Sequence, residues 1–273
     1  MSKAASAKIP SDSSCLDQLV TAYDEDARLR DRLRLGDDWT RRWSSTWQVG
    51  AGEVCWPVRD MAHVPVLLSR PMRGFTWRAK QRHRPGLEVM VSTGRKHGFE
   101  SMEEVRLLVA LDFLRASEVL SQPFRLDFEY VGGQAWHIPD FLGVIGGGMW
   151  LMDVRPMELI KDDDALKFAA AREVAAACGW RYSVVAGWRP HVWSVLDHLS
   201  SRRRPARDLL GMRDQLLTAI SGQQGRVMTF SELADSTSVP SVGRANIVRL
   251  LWQRELGVDL GSPLRDSSLI WAA

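Results

Sequence analysis

The spacing of apolar positions is clearest in the middle third of the chain. From Glu100 to Leu114 (ESMEEVRLLVALDFL), Val105, Leu108, Val109 and Leu111 recur at helical steps, which predicts an amphipathic helix. Gln122 to Tyr130 (QPFRLDFEY) alternates Phe124, Leu126, Phe128 and Tyr130 with polar residues, the period of a half-buried strand. Gly132-Gly133 turns the chain into a segment ending at Asp140-Phe141, and Gly146 to Gly148 turns it again into MWLMDVRP. DDDALKFAAAREVAAACG reads as a helix with acids at its positive end and Gly179 just past its last turn. WRYSVVAGW then predicts a strand and HVWSVLDHL a helix. The order helix, three strands, helix, strand, helix predicts an α/β fold: a mixed sheet flanked by helices.

From about Leu209 the pattern changes. DLLGMRDQLLTAI, TFSELADST and SVGRANIVRLLWQREL predict three helices, and the last stretch holds two β-like pieces around a turn. Three helices followed by a hairpin outline a winged helix. The front of the chain is less patterned. Residues 1 to about 20 are rich in Ser and Ala and read as disordered. Asp24 to Trp39 predicts a short helix, and Trp39, Trp43, Trp47 and Trp56 imply packed structure of no evident class. The expected division is an N-terminal extension over 1–85, an α/β domain over 86–205 and a winged helix over 206–273.

A chain of 273 residues with 45% hydrophobic content can bury a real core. Its net charge of +3 says little, but the distribution says more. Between Met61 and Phe99 the only acid is Glu88. Against it stand Arg73, Arg78, Lys80, Arg82, Arg84, Arg95 and Lys96, with Trp77 among them. Cations interleaved with an aromatic ring suit a nucleic-acid backbone with nearby bases; a solvated basic surface is the plainer reading of the same run. Ser201 to Arg207 (SRRRPAR) reads as a charged linker. Three cysteines at unpaired spacings argue against a disulfide framework or zinc site and for a reducing cytoplasm. No signal-peptide core and no run of ~18 apolar residues is present, so no membrane partner is expected.

The chemistry centres on HIPDFLGVIGGGMWLMDVRP. Asp140 and Asp153 fall near matching ends of two strands joined by the glycine turn, where they can converge. Phosphodiester hydrolysis needs an activated water and charge compensation on the phosphate, which carboxylate-held Mg²⁺ supplies. The backbone of Val154 is a further ligand candidate, and Arg155 would face the same phosphate. A third acid would come from the preceding helix: Glu100, Glu103 or Glu104. Ser101 to Glu104 is also the S-x-x-E pattern that caps helices, and on local chemistry that role comes first. Acids at strand ends are often merely solvated, and Pro139-Asp140 also suits a turn.

HGFESMEEVRLLVALDF, QPFRLDFEY, HIPDFLGV, LMDVRP and GWRYSVV, in this order, resemble the TnsA-type transposon endonucleases of the PD-(D/E)XK restriction-enzyme-like superfamily. IVRLLWQRELGVDLGSPLRDSSLI resembles the winged-helix segment of the same family, so the likeness spans roughly residues 70 to 273. It implies a restriction-endonuclease-like mixed sheet followed by a C-terminal winged helix. It also implies Glu104, Asp140 and Asp153 as ligands of Mg²⁺ or Mn²⁺, and Arg155 in the place of the catalytic lysine. Arginine supplies charge in a bidentate fork, but its pKa above ~12 bars it from acting as a base. Lys161 and Lys167, on the following helix, stand as auxiliary cations. The implied role is cleavage of one strand of double-stranded DNA at the 5′ ends of a mobile element. The implied partners are a DDE-type transposase and an AAA+ ATPase that the C-terminal domain contacts.

Three other functions remain open on the sequence. One is a scaffold or DNA-binding subunit that keeps the fold without cutting. Another is a winged-helix transcription factor reading DNA through Arg244, Arg249 and Arg254. The third is a stand-alone defence or repair nuclease.

Overall fold

A computed structural model describes residues 8–24, 26–75, 85–222 and 227–273. In chain order the first elements are α1 (Leu16–Leu19), β1 (Val20–Ala22), α2 (Arg28–Asp31) and α3 (Trp39–Arg42). Strands β2 (Ser44–Val49), β3 (Gly52–Pro57), β4 (Ser69–Arg70), β5 (Gly86–Met90) and β6 (Arg95–Phe99) follow. Then come α4 (Met102–Phe113), β7 (Glu118–Ser121), β8 (Arg125–Tyr130), β9 (Gly133–His137), β10 (Phe141–Ile145) and β11 (Gly148–Val154). Next are α5 (Asp162–Ala177), β12 (Arg181–Trp188), α6 (Val192–Ser200), α7 (Met212–Ser221) and β13 (Met228–Thr229). The chain ends with α8 (Phe230–Asp235), α9 (Pro240–Trp252), β14 (Leu256–Gly257) and β15 (Leu269–Ala272). The fold is mixed α/β.

Two compact units emerge: Thr21–Gly187, and Met1–Val20 together with Trp188–Ala273. They are bounded differently from the expected 86–205 and 206–273. The reason lies in pairing that one sequence does not reveal. In the Thr21–Gly187 unit, β2 pairs antiparallel with β8, so Ser44 lies opposite Asp127 and Ser45 opposite Leu126. The early tryptophans therefore join this unit's core. Trp47 packs on Phe124 with ring centroids 4.7 Å apart, and Trp43 lies 5.6 Å from Phe128. Residues expected to form an extension thus supply three of the five strands of a second sheet, ordered β3-β2-β8-β9 with β4 beside β2.

The central sheet runs β1-β12-β11-β10-β7. β10 and β11 form the expected hairpin, with Phe141 opposite Met152, and Gly146 and Gly147 (φ +58° and +81°) make its turn. β12 lies parallel to β11, as the intervening α5 allows. Helix α5 begins with Asp162, Asp163 and Asp164, which suit its positive end. It buries Leu166, Ala169, Ala170 and Val174 in one core with Leu142 and Leu151. Gly179, at φ +70°, follows its last turn as expected. The expected run of three strands is five, β7 to β11, divided between two sheets. The expected helix over Asp24–Trp39 is only the single turn α2.

In the other unit, α7, α8 and α9 precede β14 and β15, with β13 between α7 and α8. The three strands form one antiparallel sheet in the order β13-β15-β14. Residues 9–14 are ordered, contrary to the expected disorder up to about residue 20. Ser11 N–H donates to Val258 O at 2.9 Å, Leu260 N–H to Ile9 O at 2.8 Å, and Trp271 Nε1–H to Asp12 Oδ1 at 3.0 Å. Among the described residues no helix is long and apolar enough to cross a membrane.

Candidate active site

The register of the β10–β11 hairpin, continued one step past Phe141, sets Asp140 opposite Asp153. Like charges facing each other across two strands repel, so such a pair needs donors or a cation. Asp140 Oδ2 accepts the Val154 N–H at 2.7 Å, and no donor reaches its Oδ1 among the described residues. The Asp140 carbonyl accepts the Gln122 N–H at 2.7 Å, and the Gln122 carbonyl in turn accepts the Met72 N–H at 2.9 Å. Gln122 adopts a left-handed φ of +46°, an unfavourable conformation for a side chain with a Cβ. Its buried Oε1 also has no hydrogen-bond partner. Strain and an unsatisfied acceptor thus sit next to the acids.

Glu104 is the third residue of α4. Its N–H donates to Ser101 Oγ at 3.2 Å, its Oε1 accepts the Ser101 hydroxyl at 2.8 Å, and its Oε2 accepts the Glu100 N–H at 2.7 Å. The capping role read from the sequence is therefore real, and both carboxylate oxygens are oriented by it. Burial pushes the Glu104 carboxyl up, and the Glu100 N–H and Ser101 hydroxyl pull it back. The Glu100 charge raises it and the Arg73 charge lowers it, by lesser amounts. Asp140 is pushed well above the ordinary aspartate value, first by burial, then by the charges of Asp153 and Glu104. The Val154 N–H opposes this, and Glu100 adds a smaller push. Three acids from separate segments thus share one electrostatic neighbourhood.

Asp153 is 1% exposed, with both oxygens engaged. Oδ1 lies 2.9 Å from His137 Nε2, and Oδ2 accepts the Tyr182 hydroxyl at 2.7 Å. Among the described residues no three His, Cys, Asp or Glu side chains form a ready-made metal cluster. The donors nevertheless fit a hard divalent cation in its sparser mode, with one or two carboxylates and waters for the rest. Asp140 offers a free oxygen, and the oxygens of Glu104 and Asp153 each keep a lone pair. The mutual repulsion raising Asp140 is what a bound cation would relieve.

Arg155 follows directly on the end of β11, with its side chain partly exposed. β11 ends at Val154, and Arg155 Nε lies 3.3 Å from Leu159 O and 3.5 Å from Asp164 Oδ2. Its Nε thus meets the entry to α5. Val154 contributes its N–H to the site through Asp140. Lys161 is exposed at the start of α5 and Lys167 is half-buried along it. Of the proposed DNA contacts, Arg73 is exposed with its charge felt at Glu104, Arg95 pairs with Glu118, and Lys96 is exposed. Trp77, Arg78, Lys80, Arg82 and Arg84 lie outside the described residues.

No family model and no curated protein matches this chain. The resemblance to TnsA-type endonucleases therefore rests on the ordered motifs alone.

Sequence reasoning missed His137 and Tyr182. His137 stands three residues before Asp140, a proximity available to inspection. Tyr182 lies opposite Leu151 in the β11–β12 register, a parallel pairing no local motif announces. The three arginines named for base reading are engaged within their own unit, and Arg254 lies beyond α9, which ends at Trp252, in a left-handed conformation at φ +59°. Arg244 pairs with Asp266, and Arg249 Nη1 donates to Ala206 O at 3.3 Å. Arg254 donates to the carbonyls of Asp12 and Ser14 at 3.0 and 2.9 Å. This weighs against a recognition helix reading base edges through all three.

Proposed function

We propose that this chain is a divalent-metal-dependent DNA endonuclease subunit of a heteromeric transposase. It hydrolyses one strand at the 5′ ends of a mobile element, in the manner of the TnsA-type proteins it resembles. The observation that carries this reading is the facing of Asp140 and Asp153 across the β10–β11 hairpin, with Glu104 close enough to raise Asp140 further. A structural role alone would not favour three carboxylates whose charges oppose one another. The cation, Mg²⁺ or Mn²⁺, would supply an activated water and charge compensation at the phosphate. Asp140, Glu104 and Asp153 would hold it.

The chain's own residues do the rest. The Val154 N–H fixes Asp140, and the α4 cap fixes Glu104. Arg73 brings positive charge to the Glu104 side of the site, where a phosphate would approach. The helix–strand order of the C-terminal unit, with its β13-β15-β14 sheet, supports a winged helix that docks an AAA+ ATPase. The central sheet flanked by α4 and α5 supports a restriction-endonuclease-like core. A DDE-type transposase and transposon-end DNA complete the expected assembly, in the cytoplasm.

A second reading, a scaffold that binds DNA without cutting, draws on the commitment of Arg155 to Asp164 and of both Asp153 oxygens to donors. A 5′-end nicking assay with the partner subunits and Mg²⁺ separates the two. Asp140→Ala is expected to lose about a hundredfold or more, since several kcal/mol of charge stabilisation leave with the site. Equal nicking by wild type and Asp140→Ala overturns the enzyme reading. Assembly on DNA ends without nicking by either supports the scaffold.

A further inference from the structure

Asp153 is held in an arrangement that the proposed chemistry does not require of a buried acid. Its side chain is 2% exposed and His137's is 12% exposed, so the contact between them is nearly dry. With Nε2 carrying the ring proton, His137 donates to Oδ1 at 2.9 Å, while Tyr182 donates to Oδ2 at 2.7 Å. Two donors, one on each oxygen, fix the rotation of the carboxylate about its last bond. The donors are themselves fixed. The His137 ring meets Phe168 of α5 nearly edge-on, with centroids 6.1 Å apart and an interplanar angle of 72°. The Arg172 guanidinium, one turn further along α5, covers the Tyr182 ring at 5.3 Å. Strand β9, helix α5 and strand β12 thus converge on one carboxylate of strand β11.

We infer that His137 and Tyr182 are positioning residues that orient the Asp153 carboxylate, leaving its remaining lone pairs aimed at the side where Asp140 stands. This rests on the nuclease reading above. In metal sites, groups that hydrogen-bond a ligating carboxylate set its direction, and their removal typically costs about 10–100-fold in metal affinity. Helix α5 then has a role besides burying the sheet: Phe168 and Arg172 hold the two donors. A network present only to satisfy a buried charge has no reason to affect a cation binding on the other side of that carboxylate.

The test is calorimetric titration of the full-length chain with Mn²⁺ alone, so that no turnover is needed. Tyr182→Phe removes one hydroxyl and keeps the ring; His137→Leu removes the other donor; His137→Gln keeps a donor amide. Tyr182→Phe and His137→Leu are expected to weaken Mn²⁺ binding by about 10–100-fold, and His137→Gln to recover most of the loss. Asp140→Ala, expected to abolish the heat, serves as the control for binding at this site. Wild-type affinity in folded Tyr182→Phe overturns the inference and leaves the nuclease reading standing, even where His137→Leu does not fold. Absence of Mn²⁺ binding by the wild type overturns both.

Discussion

At the scale of single residues, the least comfortable group is Asp140. Its carboxyl is raised well above the ordinary 3.8, first by burial and then by the acids around it. For an acid raised on folding, the native state binds the extra proton between the ordinary and the raised value, and stability falls as pH climbs through that window. Without divalent ions, wild type should therefore lose stability relative to Asp140→Asn as pH rises above about 4. The asparagine keeps an acceptor for the Val154 N–H and sheds the charge. Calorimetric melting of both proteins in EDTA across pH 4 to 8 should show the variant with the higher Tm and a gap that widens with pH. A wild type equal to or above the variant at pH 8 would mean that the acids do not repel as described. Excess Mg²⁺ should narrow the gap by stabilising wild type alone. Two of the three acids, Asp140 and Asp153, were legible in the sequence because a proline, a glycine turn and matched strand lengths frame them. The contacts of Arg155 with Leu159 and Asp164 were not, because they depend on where β11 stops and α5 starts, a difference of a few residues.

At the scale of elements, α4 shows how one residue serves two roles. Ser101 accepts the Glu104 N–H and donates to its carboxylate, so the cap that starts the helix also aims the acid. Ser101→Ala removes both bonds. Losing an N-cap of this kind costs about 1 kcal/mol, which in a unit of this size lowers Tm by about 2–4 °C. Thermal denaturation monitored by circular dichroism measures that drop, and an unchanged Tm would mean the cap is not formed. Glycine substitution at the same place should cost only a few tenths of a kcal/mol. Helix α6 was readable from its regular apolar period, α4 from its cap, and α5 and the β10–β11 hairpin from the glycines that end or turn them. β7 was hidden in four residues, too short for a period to register. β2 and β3 were hidden because tryptophan-rich alternation does not say which partner strand it will meet.

At the scale of the whole molecule, the N-terminal segment is a working part of the unit formed by the chain's last third. Leu16 and Leu19 are fully buried, and the hydrogen bonds of Ile9, Ser11 and Asp12 run to residues 258 to 271. Removal of residues 1–15 strips Val258, Leu260 and Trp271 of partners and uncovers Arg254, whose guanidinium holds the Asp12 and Ser14 carbonyls. Hydrogen exchange on the truncated protein should show faster exchange across residues 254–272, with protection in β10 and β11 unchanged. Unaltered protection at 254–272 would show that these contacts contribute little. Composition suggested disorder here; Ser and Ala content cannot reveal pairing to a segment some 250 positions away.

The same arrangement bears on how the protein comes to be made. Strands and helices of Thr21–Gly187 draw on one unbroken stretch and can collapse as soon as it clears the ribosome. The backbone of residues 9–14, by contrast, finds its partners among residues 254–271, which follow that whole stretch in the chain. The order of synthesis therefore lets the continuous unit form first, and the discontinuous one only after both of its separated pieces exist.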